Sequence, residues 1–461
     1  MSISDITSVY FVGAGGIGMS ALIRYFLAKG KKVAGYDRTP SALTTKLIEE
    51  GAAIHFDEDA TLIPDDFRDK TATLVVYTPA VPALHKELVY FRERGFEVMK
   101  RSQVLGFITA SSRGLCIAGT HGKTTTSSMT AHILKQSSVD CNAFLGGILK
   151  NYGSNLMLSE HSDLTVIEAD EYDRSFHFLM PYMAVITSAD PDHLDIYGTP
   201  AAYRESFEKF TSLIRPGGVL IMKKGIDVTP DLQPDVRLYT YSATEQTADF
   251  HVENIRVGNG EIFFDFVSPL LCISDVQLGV PIRINIENGI AAMAVALLNG
   301  VTADEIREAM KTFAGAQRRF DFQIKKEQIV YIDDYAHHPE ELRNSIQSVK
   351  ELYKDRKVTC VFQPHLYTRT RDFADTFASA LSLPDKLVLL DIYPAREEPI
   401  PGVTSEMIFD KVSIKDKILC KKEDLMKILE AEDLEVLVTL GAGDIDRFVE
   451  PIREMLNKKY A

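Results

Sequence analysis

Residues 116–128 read CIAGTHGKTTTSS. An apolar run, Leu115–Ala118, gives way to a loop bracketed by Gly119 and Gly122 and then to a Thr/Ser-rich helix start. Strand, glycine loop and helix follow in the order that builds an anion site in a parallel sheet, because loop N–H groups and the helix N-terminus both point at the ligand. A Walker loop would need G-x-x-x-x-G-K-[ST]. Here the residue five before Gly122 is Ile117, so the loop is the shorter Gly119-Thr120-His121-Gly122-Lys123-Thr124-Thr125. Its parts keep their uses. Lys123 can neutralise β- and γ-phosphate oxygens, Thr124 can hold Mg2+, and successive N–H groups form an anion nest. The plainer alternative is a glycine turn beside an exposed lysine.

A phosphate–Mg2+ site needs carboxylates, and the next buried strand carries them in LTVIEADEYD: Glu168 at the strand's end, Asp170 and Glu171 just beyond. The strand after it ends in SADPDHLD, with Asp190, Asp192, His193 and Asp195. Mg2+ prefers hard oxygens and keeps several waters, so one or two carboxylates plus ATP oxygens suffice. His193, beside three acids, reads as a further ligand or an organiser of water, although an isolated histidine is more often structural.

A second glycine loop lies upstream, in VGAGGIGMS. Gly13-Ala14-Gly15-Gly16-Ile17-Gly18 matches G-x-G-x-x-G, follows a strand and opens a helix, with Asp37 ending the next strand where a ribose-binding acid would sit. The glycines let backbone approach a diphosphate, and the helix N-terminus favours its charge. Nothing in that specifies nicotinamide. A dinucleotide, a nucleotide-sugar and a ligand-free tight turn all stay open on the loop alone.

Around these loops, short apolar runs alternate with amphipathic segments such as EELRNSIQSVKELYKD, which argues for parallel sheets covered by helices. Expected strands are Val9–Val12, Lys32–Tyr36, Thr73–Tyr77, Leu115–Ala118, Leu164–Ile167, Met183–Thr187, Val219–Met222, Ile329–Ile332, Val358–Phe362, Leu387–Leu390 and Glu435–Leu440. Between about 230 and 285 the text turns β-rich and irregular, and antiparallel strands attached to the middle domain are expected there. Boundaries fall near Thr109–Arg113 and near GAQRRFDFQIKKEQ. With 461 residues, the chain suggests three domains of roughly 150 each. In the last of them, four strands end in polar clusters, DDYAHHP, QPHLYTRTR, DIYPAREE and GAGDIDR. Ligands of open parallel sheets bind at such carboxyl ends.

A formal net charge of −14 argues against a nucleic-acid partner. The five cysteines are scattered without a C-x-x-C pair, as expected of reduced cytosolic thiols rather than a disulfide framework or zinc site. The apolar stretch near the N-terminus lacks a basic leader, is interrupted by Arg24, and follows strand-to-helix logic rather than that of a signal or membrane span. A cytoplasmic protein that neither spans nor binds a membrane is the expectation.

With GTHGKTTT, EADEYDRSF and DPDHLDIYGT in hand, the chain resembles the Mur ligases. NIENGIAAMAVA, GAQRRFD, DDYAHHPEE, QPHLYTRT and LLDIYPARE extend the likeness over essentially the whole chain, in order, and it is to the members that add alanine. The resemblance implies an α/β fold of three domains: an N-terminal Rossmann-like domain (1–110) for the UDP part of the substrate, a central P-loop-type domain (111–320) for ATP, and a C-terminal Rossmann-like ligase domain (321–461). The implied reaction uses ATP and Mg2+ to join L-alanine to the lactyl carboxylate of UDP-N-acetylmuramate through an acyl phosphate. One loop then serves the diphosphate of a nucleotide-sugar and the other the triphosphate of ATP.

By the same matching, Lys123, Glu168, His193 and Arg369 are the implied catalytic set. Thr124 and Glu168 hold metal, His193 assists, and Glu171 is a rival to Glu168. Gly119–Thr125 with Asn285, Asn288, Arg318, Arg319 and Asp333 would bind ATP. Gly13, Ala14, Gly15, Gly16, Ile17, Gly18, Asp37 and Thr78 would bind the UDP substrate. Tyr335, His337, His365 and Arg371 would surround amino acid and acyl phosphate. One departure stands out: the family pattern has arginine after QPH, and this chain has Leu366. Arg369 or Arg371 would have to supply its contact. Three rival readings remain. A tripeptide-attaching ligase shares EADEYD, a dehydrogenase fits the first loop but leaves Gly119–Thr125 without a purpose, and a non-catalytic sensor would bind cell-wall precursors without turning them over.

Overall fold

Three sheets follow from the alternation of apolar runs and helices. The computed structural model describes residues 6–258, 260–395 and 397–460. The first sheet holds β1 (Ser8–Val12), β2 (Lys32–Tyr36), β3 (Ala53–His55), β4 (Thr73–Tyr77) and β5 (Glu97–Lys100), in the order β3-β2-β1-β4-β5 and all parallel. Strand β1 is buried throughout, as the centre of a doubly covered sheet should be. The strand order reverses between β1 and β4, whose carboxyl ends lead into Gly13 and Thr78. Such a switch point opens a crevice for ligand.

The second sheet has ten strands: β6 (Arg113–Ala118), β7 (Asn142–Leu149), β8 (Ser154–Met157), β9 (Leu164–Glu168), β10 (Met183–Ile186), β11 (Val219–Lys223), β12 (Arg237–Ser242), β13 (Phe250–Gly258), β14 (Glu261–Val267) and β15 (Cys272–Gln277). Their order is β15-β14-β13-β12-β11-β10-β6-β9-β7-β8. Strand β6 pairs in parallel with both β9 and β10, and the chain changes direction across the sheet there. The phosphate loop leaves from β6, again at a switch point. The expected antiparallel block after residue 230 begins otherwise: β12 runs parallel to β11, and β13 parallel to β12. The parallel sheet continues through β12 to the start of β13, and β13, β14 and β15 then stand as the added strands at that end of the sheet.

The third sheet runs β16-β17-β21-β18-β19-β20, from β16 (Asp321–Lys325), β17 (Val330–Asp334), β18 (Val358–Phe362), β19 (Lys386–Leu390), β20 (Lys417–Cys420) and β21 (Val436–Leu440). Only β16 pairs antiparallel; the other pairings are parallel. Strands β18, β19 and β21 are buried at every position.

By its contacts the chain divides into two compact units. The first runs to Glu253 and takes in Asp265–Ser274 and Glu287–Thr312; the second holds Asn254–Phe264, Asp275–Ile286 and the chain from Phe313. The first sheet and the core of the second therefore share one unit. One apolar cluster joins them, running from Phe11, Leu22 and Phe26 to Phe144, Ile167, Phe176 and Phe207. A polar bolt adds to it. The fully buried Asn155 donates to Ile17 O at 2.7 Å and Ser20 Oγ at 3.0 Å, and its Oδ1 accepts from Arg24 Nη1 at 2.6 Å. Helix Ile17–Ala28, which carries the first glycine loop, is thereby fixed to β8.

Candidate active site

The phosphate loop is shaped by two glycines in the left-handed region, Gly119 at φ +143° and Gly122 at φ +81°. A Cβ on Gly119 would lie 2.0 Å from Thr187 Oγ1, and one on Gly122 would lie 2.6 Å from Asn288 Oδ1. Space as well as torsion excludes a side chain at both. Gly122 starts helix Lys123–Gln136 without a side-chain cap, so the helix N-terminal N–H groups stay directed at the loop. The loop is held from the far side. The single Thr187 hydroxyl proton is shared between His121 O at 2.5 Å and Ala118 O at 3.1 Å, His121 N–H donates to Ser188 Oγ at 2.8 Å, and Thr120 Oγ1 donates to Asp190 O at 2.7 Å. Sequence reading missed Thr187, Ser188 and the Tyr203 hydroxyl, 2.8 Å from Thr120 Oγ1. Their only signal was position at a strand end or on a following helix.

The two rival glutamates take different partners. Glu168 Oε1 accepts from Thr124 Oγ1 at 3.1 Å, and its Oε2 from Gly146 N–H at 3.1 Å. Glu171, 1% exposed, faces Lys123 instead: Nζ lies 3.0 Å from Oε1 and 2.8 Å from Oε2. Lys123 also donates to Gly119 O at 2.5 Å, which folds its side chain over the loop. Burial pushes the Glu171 carboxyl above its ordinary range, and the Lys123 ammonium opposes that. His193, at φ +51°, has Nε2 3.7 Å from Asp192 Oδ2 and its ring edge-on to Tyr172 at 5.1 Å. Among the described residues no three His, Cys, Asp or Glu side chains converge as a metal cage. Glu168, Glu171 and His193 are thus not a preassembled ligand set. The Thr124 hydroxyl beside the Glu168 carboxylate does fit a hard cation that takes its remaining ligands from water and phosphate.

The first glycine loop has the same logic with different partners. Gly13, at φ +91°, leaves no room for a Cβ, which would meet Thr78 Cγ2 at 2.5 Å. Ala14 is buried, and both Gly13 and Ala14 N–H groups donate to Tyr36 O. Asp37 does not stand free at its strand end. Its Oδ2 accepts from Gly15 N–H at 2.6 Å and its Oδ1 from Thr39 N–H at 3.1 Å, so it braces the loop. Helix Ile17–Ala28 starts at Gly16, again without a side-chain cap. In front of it lies a cavity of 290 Å³ that reaches from Gly16–Gly18 and Thr78 to Gly146, Glu168 and Asp170. The carboxylate that touches Thr124 therefore also lines the space before the first loop.

In the second unit, Asp333 is fully buried at the end of β17. It accepts from Thr439 Oγ1 at 2.7 Å and from Arg318 Nε at 3.2 Å. Burial raises its carboxyl, and Arg318 counters that. Its neighbour Asp334 is pushed up to about 6 by burial. Arg318 (φ +59°) also donates to Gly441 O at 2.7 Å, and both Arg318 and Arg319 lie over the Tyr335 ring, at 5.2 and 5.3 Å. From there a chain of rings runs on: Tyr335 to His337 at 5.3 Å, His337 to His365 at 6.0 Å, and His365 to Tyr393 at 5.9 Å. Arg369 Nη1 lies 3.4 Å from His365 Nδ1. Burial lowers His337, against the pull of Glu341. Arg371 is the exception, an exposed side chain paired with Asp372 at 2.7 Å and outside this chain of contacts. The two asparagines, one turn apart on helix Arg283–Leu298, take different partners: Asn288 accepts from Thr126 Oγ1 at 3.2 Å, and Asn285 donates to Val280 O at 3.1 Å.

Two glycine cradles, a lysine and a hydroxyl on the second, and acids at the neighbouring strand end make up an arrangement that suits a nucleotide-dependent ligase. The chain matches the Mur ligase family catalytic domain over residues 8–113, the Mur ligase middle domain over 117–296, and the Mur ligase glutamate ligase domain over 318–443. It belongs to the Mur ligase family. Among its relatives, the UDP-N-acetylmuramate–L-alanine ligase of Parabacteroides distasonis is 69% identical over 459 residues, covering 100% of this chain and 99% of that protein. That of Phocaeicola vulgatus is 65% identical and covers 100% of both. The crystal structure of a UDP-N-acetylmuramate-alanine ligase from Thermotoga maritima superposes with a TM-score of 0.83 at 28% identity, over 98% of this chain and 99% of that one. A murein peptide ligase from Psychrobacter arcticus shares the fold, with a TM-score of 0.68 at 21% identity over 98% of each chain.

Proposed function

We propose that the chain is an ADP-forming ligase that joins L-alanine to the lactyl carboxylate of UDP-N-acetylmuramate, in the cytoplasmic synthesis of peptidoglycan precursors. The observation that carries this reading is the cavity that links the first glycine cradle to Glu168, and through Glu168 to Thr124 of the second. A nucleotide-sugar anchored by its diphosphate at Gly13–Gly18 would extend its acid toward the γ-phosphate of an ATP held at Gly119–Thr125. Among the described residues no helix is long and apolar enough to cross a membrane, which accords with a soluble substrate pair.

A carboxylate is a poor electrophile at neutral pH, so it must be activated. One of its oxygens attacks the γ-phosphorus, ADP leaves, and the alanine amine displaces phosphate from the acyl phosphate through a tetrahedral intermediate. Lys123 and the N-terminal amides of helix Lys123–Gln136 would stabilise charge that builds on the transferring group; removing one such donor costs ~3–4 kcal/mol. Thr124 and Glu168 would hold Mg2+, which would neutralise phosphate charge. Asn288, Arg318, Arg319 and Asp333 would contact the nucleotide. His193 would order the metal's water, and Tyr335, His337, His365 and Arg369 would receive the amino acid and the acyl phosphate. Holding three reactants together can reach effective molarities of about 10⁵ M or more.

The deciding measurement is ADP release by the full chain with UDP-N-acetylmuramate and each small amino acid in turn. A strict need for both co-substrates, with alanine preferred, is expected. Turnover with a murein tripeptide and none with alanine would move the chain to the recycling branch of the family.

A further inference from the structure

The cavity in front of the first glycine loop has two carboxylates in its wall, Glu168 and Asp170, and one basic side chain, Arg101. An anionic ligand entering it meets repulsion unless that cation answers it. Arg101 is the first residue of helix Arg101–Ala110. Its single hydrogen bond runs from Nη2 to Asp170 Oδ2 and is long, 3.3 Å. A guanidinium has five N–H donors in a planar fork, so four have no partner among the described residues. The side chain is nevertheless only 21% exposed. It points at the glycine loop: a Cβ on Gly18 would lie 2.6 Å from Arg101 Nη1 and 3.0 Å from Cζ. Glycine at position 18 thus clears space for this guanidinium against the uncapped first turn of helix Ile17–Ala28.

We infer that Arg101 is a binding residue for the diphosphate of the nucleotide-sugar, gripping its oxygens from the side opposite the Gly16–Gly18 amides. Phosphate oxygens match the guanidinium fork in a way a lysine ammonium does not. Asp170 holds the group in readiness through one weak contact, and the ligand's arrival completes its bonding. The inference rests on the ligase reading for the identity of the ligand, not for the site.

The test is calorimetric titration of the full-length chain with UDP, with UDP-N-acetylmuramate and with a non-hydrolysable ATP analogue. Arg101→Met is expected to weaken both uridine ligands about tenfold or more, the loss of a charge-assisted contact, while the ATP analogue stays within about twofold and reports an intact fold. Arg101→Lys should recover part of the loss. Asp170→Asn should leave UDP affinity unchanged or tighter. Unchanged UDP affinity in Arg101→Met overturns the inference. So does an equal loss for the ATP analogue, or an Asp170→Asn variant that reproduces the defect, since either assigns Arg101 to local structure. Weakening confined to UDP-N-acetylmuramate would transfer the contact to the lactyl carboxylate and overturn the diphosphate assignment. A wild-type chain that binds UDP yet releases no ADP with alanine would fail the ligase reading and leave this inference standing.

Discussion

Lys123 is neutralised by a partner that the reaction would have to displace. Its ammonium lies 2.8 Å from a glutamate that is 1% exposed, so the pair is held apart from solvent. Breaking such a pair from one side strands a buried charge. Lys123→Ala should therefore abolish ATP-dependent ligation and also lower the melting temperature, whereas Lys123→Ala with Glu171→Gln should recover stability without activity. Recovery of activity in the double variant would refute the assignment of Lys123. A second buried acid is independent of the site. Glu87, on helix Lys86–Glu93, is fully buried, accepts from Tyr10 OH at 2.8 Å, and is pushed up to about 7 by burial. The native state binds its proton more tightly than the unfolded chain does. Its stabilising share is full below pH 4.5 and is lost as pH rises through 7, on the order of 3 kcal/mol. Nearby His55 and His85, both lowered by burial, act in the opposite sense below pH 6.5. The difference in urea midpoint between Glu87→Gln and the parent, measured from pH 5 to 8, isolates the acid: it should grow in favour of the variant as pH rises. A difference independent of pH would refute the shift.

At the scale of elements, the phosphate loop depends on strand β10 as much as on its own glycines. Gly119→Ala would drive a methyl into Thr187 Oγ1, the hydroxyl that bridges Ala118 O and His121 O, and force an L-residue to φ +143°. The expected result is a loss of ~1–3 kcal/mol in stability and of measurable binding in an ATP-analogue titration. Retained binding would mean that the loop is not the triphosphate seat. Strands buried on both faces were legible because they are unbroken apolar runs: Lys32–Tyr36, Thr73–Tyr77 and Val358–Phe362 emerge with the bounds their sequence suggests. Edge strands were not. Ala53–His55 is three residues long, Ser154–Met157 only four, and Lys417–Cys420 is only half-buried. The motifs located the site, but not who pairs with whom. Whether Lys123 meets Glu168 or Glu171 depends on a turn with Asp173 and Arg174 both at positive φ, which no periodicity announces. The inward turn of Asp37 onto Gly15 was equally hidden.

At the scale of the molecule, three family domains fold into three sheets, but the first sheet and the core of the second form a single unit. Asn155 is a fully buried polar link between them. Asn155→Ala would remove three hydrogen bonds and leave Arg24 and the Ile17 carbonyl to find new partners. Thermal unfolding of that variant should broaden or split by calorimetry relative to the parent. A sharp, unshifted transition would show that the apolar cluster suffices alone. The same bolt bears on selectivity. Because it fastens the first glycine cradle to the sheet that carries the second, the gap between the two proposed anion seats would work as a ruler of set length. Acceptance then turns on reach: a uridine sugar whose acid arm is a carbon too short or too long would dock by its diphosphate and still fail to be activated.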